Sequence, residues 1–138
     1  MKIIIFFSTF LLSLYSSSDS LISGEWGVYC GSSSKIYEKK SHSAMVLVDG
    51  HTYIYTRYKQ LGDGVVEIYY KEVIEGGLPG KDVPWSELSL EFPIGLYRKV
   101  SPKKATLDWF GFQTNSGVKI DVLSDFLTDK QNDLERCR

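Results

Sequence analysis

The sequence predicts a mainly β fold: an antiparallel up-and-down barrel, or a strongly curled sheet, of about eight strands with a short C-terminal helix. Three observations carry this reading. Apolar and polar residues alternate at period two through much of the chain, which is the pattern of strands buried on one face. Glycine-containing turns fall between the alternating runs. No tract in the body of the chain has a fixed repeat or is apolar enough to span a bilayer. A sheet of many short antiparallel strands tends to close or fold over, because closure removes its exposed edges.

The elements follow in order. Residues 1–18, MKIIIFFSTFLLSLYSSS, have the parts of a secretory signal: Lys2 in front, an apolar run, then small Ser16, Ser17 and Ser18 at a cleavage point. The run is shorter than the roughly 20 residues that cross a bilayer, so export is expected rather than anchoring. Residues 19–138 are then a single domain, secreted or periplasmic. GEWGVYC opens it as a strand. SAMVLVDGHTYIYTRY gives two strands about a turn at Asp49 and Gly50, since a type I′ turn needs positive φ at both central positions. In VVEIYYKEVI, Val66, Ile68 and Tyr70 face one way and Glu67, Tyr69 and Lys71 the other. SELSLEF, LYRKV, ATLDWFGFQT and KIDVL supply the remaining strands, with turns at Gly62, Asp63 and Gly64 and at Asn115, Ser116 and Gly117. In TDKQNDLERC, Thr128 and Gln131 have the spacing of a capping box, and Leu134 and Cys137 share a helical face.

Charge and cysteine content bound the function. The 16 basic and 17 acidic groups are mixed along the chain, and only Lys2 falls in the removed segment. A near-neutral surface lacks the basic face that nucleic acid or an anionic membrane needs, so neither is an expected partner. Two cysteines, Cys30 and Cys137, sit near the two ends of the exported domain, and in an oxidising compartment their simplest state is a disulfide.

Chemistry-bearing patterns are missing. His42 and His51 stand nine positions apart without the neighbouring ligands of a zinc site. Asp121, Asp125, Asp129 and Asp133 recur every fourth residue but lack the alternating ligands and central glycine of a calcium loop, and read as a solvated helix face. GSSSK, residues 31–35, has no strand-to-helix turn to activate a serine. No cofactor, metal or catalytic set is expected. The aromatics are more informative, because strand packing uses some of them and Tyr and Trp dominate binding hot spots. Tyr69, opposite the apolar face of its strand, and Lys71 beside it are candidate contact residues. Asp63 in the adjoining turn joins them, with Trp85 at the end of the long glycine- and proline-rich loop EGGLPGKDVPW.

Two resemblances add to this. SAMVLVDGHTYIY followed by IYYK resembles the central hairpin of periplasmic inhibitors of C-type lysozyme, over about a third of the exported part. The resemblance implies a small secreted β-barrel that blocks a muramidase, with Lys71 in the place of the lysine that enters the enzyme's cleft. Glu72 stands where that family has glycine, and Leu61 where it has the serine of its second motif. SGEW, with Trp26, is similar to the opening of lipocalins, and implies a carrier of a small apolar ligand. The expected function is that of a non-enzymatic inhibitor or immunity-type binding protein. Its partner would be a protein, such as a cell-wall hydrolase or a co-exported toxin, gripped through exposed loops. The lipocalin-like carrier is the alternative.

Overall fold

A computed structural model of the chain describes residues 22–40, 43–75 and 83–138. The segment that reads as a signal, His42 and most of the long loop lie outside these residues. Among the described residues ten strands form: β1 (Glu25–Gly27), β2 (Lys35–Lys40), β3 (Ser43–Val48), β4 (Thr52–Gly62), β5 (Val65–Glu75), β6 (Pro93–Ser101), β7 (Lys104–Trp109), β8 (Phe112–Gln113), β9 (Lys119–Ile120) and β10 (Gln131–Arg136). Eight close into an antiparallel barrel in the order β1-β10-β7-β6-β5-β4-β3-β2, and β8 and β9 pair separately. Each strand therefore neighbours its successor, except that β8 and β9 intervene before β10 returns to close the ring.

Period-two alternation fills the barrel. Ile36, Val46, Ile54, Val66, Ile68, Tyr97, Leu107 and Leu134 point inward and are fully or almost fully buried. Trp26 meets Tyr97 edge to face at 5.7 Å, and the two buried rings help to fill the interior. Gly95 lies opposite Trp109 in the β6–β7 ladder, where a Cβ would come within 3.1 Å of the Leu107 side chain and 3.3 Å of the Asp108 carbonyl oxygen, so the bare position lets β7 pack closely. The lumen is occupied by side chains.

The expected turn at Asp49 and Gly50 forms, with φ of 55° and 77°. The Asp49 carboxylate accepts the His51 and Thr52 N–H groups, which stabilises the left-handed aspartate. The register places turns at two rims. One rim carries Gly62, Asp63 and Gly64 beside the β6–β7 turn. The other carries the β3–β4 turn, residues 83–92 and the long excursion between β7 and β10.

Closure is thinnest between β1 and β10, where only Trp26↔Arg136 and Gly27↔Glu135 pair. Cys30 and Cys137 are bonded beside this seam, with Cα atoms 5.4 Å apart. Cys137 also donates its N–H to Glu25, and Glu135 accepts the Cys30 N–H. The covalent link lies where hydrogen bonding is sparsest.

The eight-stranded count holds, but its membership differs from expectation. The C-terminal segment is not a helix: β10 runs through it, with Asn132 and Leu134 buried between exposed Gln131 and Asp133. Asn132 resembled a polar helix residue, yet its amide accepts from Leu127 N–H and donates to the Leu107 and Leu127 carbonyls, so it is a satisfied core group. The four aspartates form no helical stripe. Asp125 instead accepts hydrogen bonds from Ser32 and Ser33, and its own N–H binds Ser34. The GSSSK run thus clamps the excursion to the barrel. SELSLEF is no strand: a 3₁₀ turn, Trp85–Glu87, leads to a single bridge, Leu88↔Thr114, and Leu90 and Phe92 are exposed. KIYEKK, unremarked for its charge, is β2.

Candidate functional site

A cleft of about 770 Å³ opens at the rim between the end of β5 and residues 85–91. Tyr70, Lys71, Glu72 and Val73 form one wall, and Trp85, Ser86, Leu88, Leu90 and Glu91 the other, with Asn115 at the margin. The topology creates this space. β5 pairs with β4 as far as Glu75, but its pairing with β6 ends at Tyr69↔Pro93. Residues 70–75 of β5 extend beyond the start of β6, and residues 85–91 stand off from them.

The walls are held in place by identifiable contacts. Tyr70 donates its hydroxyl to the Trp85 carbonyl at 3.4 Å and stacks on the indole at 6.2 Å. Phe112 meets both rings edge on, and beyond it Trp109 and Phe126 continue the aromatic layer. Burial raises the Tyr70 pKa, and the neighbouring Glu72 charge adds to that, so the phenol stays protonated as a donor. The outer wall is fastened to the small β8–β9 hairpin: Ser89 N–H binds Gln113, and Asn115 N–H binds Glu87. Arg57 reaches over the barrel's outside to the Leu90 carbonyl at 3.1 Å.

The structure brings two of the four sequence candidates together. Lys71 is exposed on one wall and Trp85 is half-buried on the other. Tyr69 does not meet the expectation of exposure. The residue is only 9% exposed, and the Arg57 guanidinium lies over its ring, 4.5 Å from the centroid. Burial first, and then Glu67, raises the Tyr69 pKa, while Arg57 opposes the shift. Asp63 is exposed, but on the opposite rim. Leu88, Leu90 and Glu91 were missed as site residues because SELSLEF alternates like a strand. The signal that Leu90 is half exposed lay only in the proline and glycines upstream, which separate this segment from β5.

The cleft offers an indole face, exposed Leu90, one cation, two carboxylates and an amide. Such a mixture of apolar surface with a few polar groups suits recognition. No family model, no curated protein and no solved structure matches the chain. Fold and cleft geometry define a small, disulfide-closed antiparallel barrel with a walled groove at one rim.

Proposed function

We propose that this is an exported, non-enzymatic inhibitor or immunity-type protein that grips a protein partner at the rim groove. The observation that carries the reading is the groove itself. It faces Lys71 with Trp85 across about 770 Å³ and presents Leu90, 52% exposed, on the Trp85 wall. An apolar anchor beside an indole, ringed by charge, has the make-up of a binding hot spot. Lys71 is also the residue that resembles the cleft-entering lysine of lysozyme inhibitors, which makes muramidases the first partner class to test. A disulfide across the barrel seam suits the oxidising compartment that the signal-like leader implies. A lipocalin-like carrier draws no support from the lumen, since Trp26, Tyr97 and Ile68 occupy it and none of them lines the four principal clefts.

The test is calorimetric titration of the oxidised protein into C-type lysozyme and a panel of other cell-wall hydrolases, paired with turbidity assays of their activity. Saturable binding to at least one enzyme is expected, weakened about tenfold or more by Trp85→Ala or Leu90→Asp, as hot-spot truncation does. Binding that ignores both substitutions, or a panel in which every enzyme stays unbound and active, overturns the reading.

A further inference from the structure

We infer that the groove takes its partner by strand addition: an extended peptide segment lies along the open edge of β5, with an apolar side chain against Trp85 and Leu90. This deepens the groove reading and rests on it. Among the described residues, no strand pairs with residues 70–75 of β5 on the side away from β4. An antiparallel edge offers its outward N–H and C=O groups to any chain that arrives extended. Six residues at the strand rise give a run on the order of 17–20 Å, enough for a short segment.

The groove's form selects the occupant. Its far wall, residues 87–89, is bound to residues 113–115 and stands beside the edge. A second barrel carries the same wall next to its own β5, so two such edges obstruct each other where a single extended chain does not. The edge is also guarded. The β4–β5 register shifts between Tyr53 and Ile54 and between Tyr55 and Thr56, leaving Lys71 and Ile74 as extra residues on β5. Bulges and the charges of Lys71 and Glu72 blunt indiscriminate pairing. A segment that matches the bulged spacing and also fills the Leu90 side satisfies both walls. Leu90, 52% exposed, and half-buried Val73 supply the apolar surface it covers.

The experiment selects binders to the oxidised full-length exported protein from a displayed library of linear heptapeptides. It then measures amide exchange with the best synthetic peptide. Slowed exchange at β5 residues 71–74 is expected. N-methylation at alternate peptide residues should weaken binding about tenfold, and at the intervening residues by no more than about threefold. A library that yields no binder, or peptides indifferent to N-methylation, overturns strand addition. So does protection of the same amides without peptide at rising protein concentration, which assigns the edge to a second copy. The two readings fail separately. Loss of a protein partner on Leu90→Asp, with β5 amides exchanging as in the free chain, overturns strand addition and keeps the groove. Peptide binding unaffected by Leu90→Asp overturns both.

Discussion

Tyr70 and Tyr97 are both buried phenols on the inner face of the sheet, and their hydroxyls have opposite circumstances. Tyr70 reaches the Trp85 carbonyl, whereas the Tyr97 oxygen is buried without a hydrogen-bond partner among the described residues, its pKa pushed far up by burial. A satisfied buried hydroxyl contributes about 1 kcal/mol, and an unsatisfied one carries a desolvation penalty of about 1–3 kcal/mol. Tyr70→Phe is therefore predicted to lower stability by about 1 kcal/mol, and Tyr97→Phe to leave it unchanged or raise it by about 1 kcal/mol. Denaturant unfolding of the two variants checks both signs. Asp125 gives a pH prediction. Hydrogen bonds, the Ser32 hydroxyl's above all, hold its carboxyl below the usual range against the opposing effect of burial. A lowered native value means the clamp stabilises above the unfolded-state pKa of about 4 and is lost as pH falls through the native value. Because the group is largely exposed, the gain is about 1 kcal/mol. Melting curves from about pH 6 to pH 2.5 should show Asp125→Asn less acid-sensitive than the parent.

Among the elements, β10 shows what alternation can and cannot reveal. QNDLER alternates in burial, but only Leu134 announces it, because the other inward side chain is Asn132. Asparagine disfavours strands by propensity and here is kept by four hydrogen bonds to the backbone of Leu107, Leu127 and Lys130. Leu134→Ala is predicted to cost about 2–5 kcal/mol, as for a full-sized core truncation, while exposed Asp133→Ala changes little. A helical tail on the surface would give a small effect at both. The hairpins about Asp49, Gly50, Gly62 and Gly64 were legible because turn chemistry is local. SELSLEF misled because its alternation is real, but β6 already holds the ladder position beside β5, so only Leu88 finds a bridge. The groove depends on where β5 outruns β6, a difference in strand length across the sheet. No single segment encodes that.

The whole molecule is a ring whose joint is its two-pair seam, and the disulfide closes a sequence separation of 107 residues across it. Reduction is predicted to lower stability by about 2–4 kcal/mol, with exchange rising first in β1 and β10, a comparison made by amide exchange with and without reductant. Residues Lys71 and Trp85, far apart in sequence, meet only after the barrel closes, so half the expected contacts converge and Asp63 goes to the other rim. With the lumen packed by side chains, a partner meets the outside of the barrel, and the proposed contact is the groove at one rim. Shift mapping in backbone NMR spectra during titration with any cell-wall hydrolase that binds, or with any apolar ligand, tests this most directly. The account predicts perturbations centred on residues 70–73 and 85–91. Perturbations centred on Trp26 and Tyr97 in the lumen, or on the rim that carries Asp63, would contradict it.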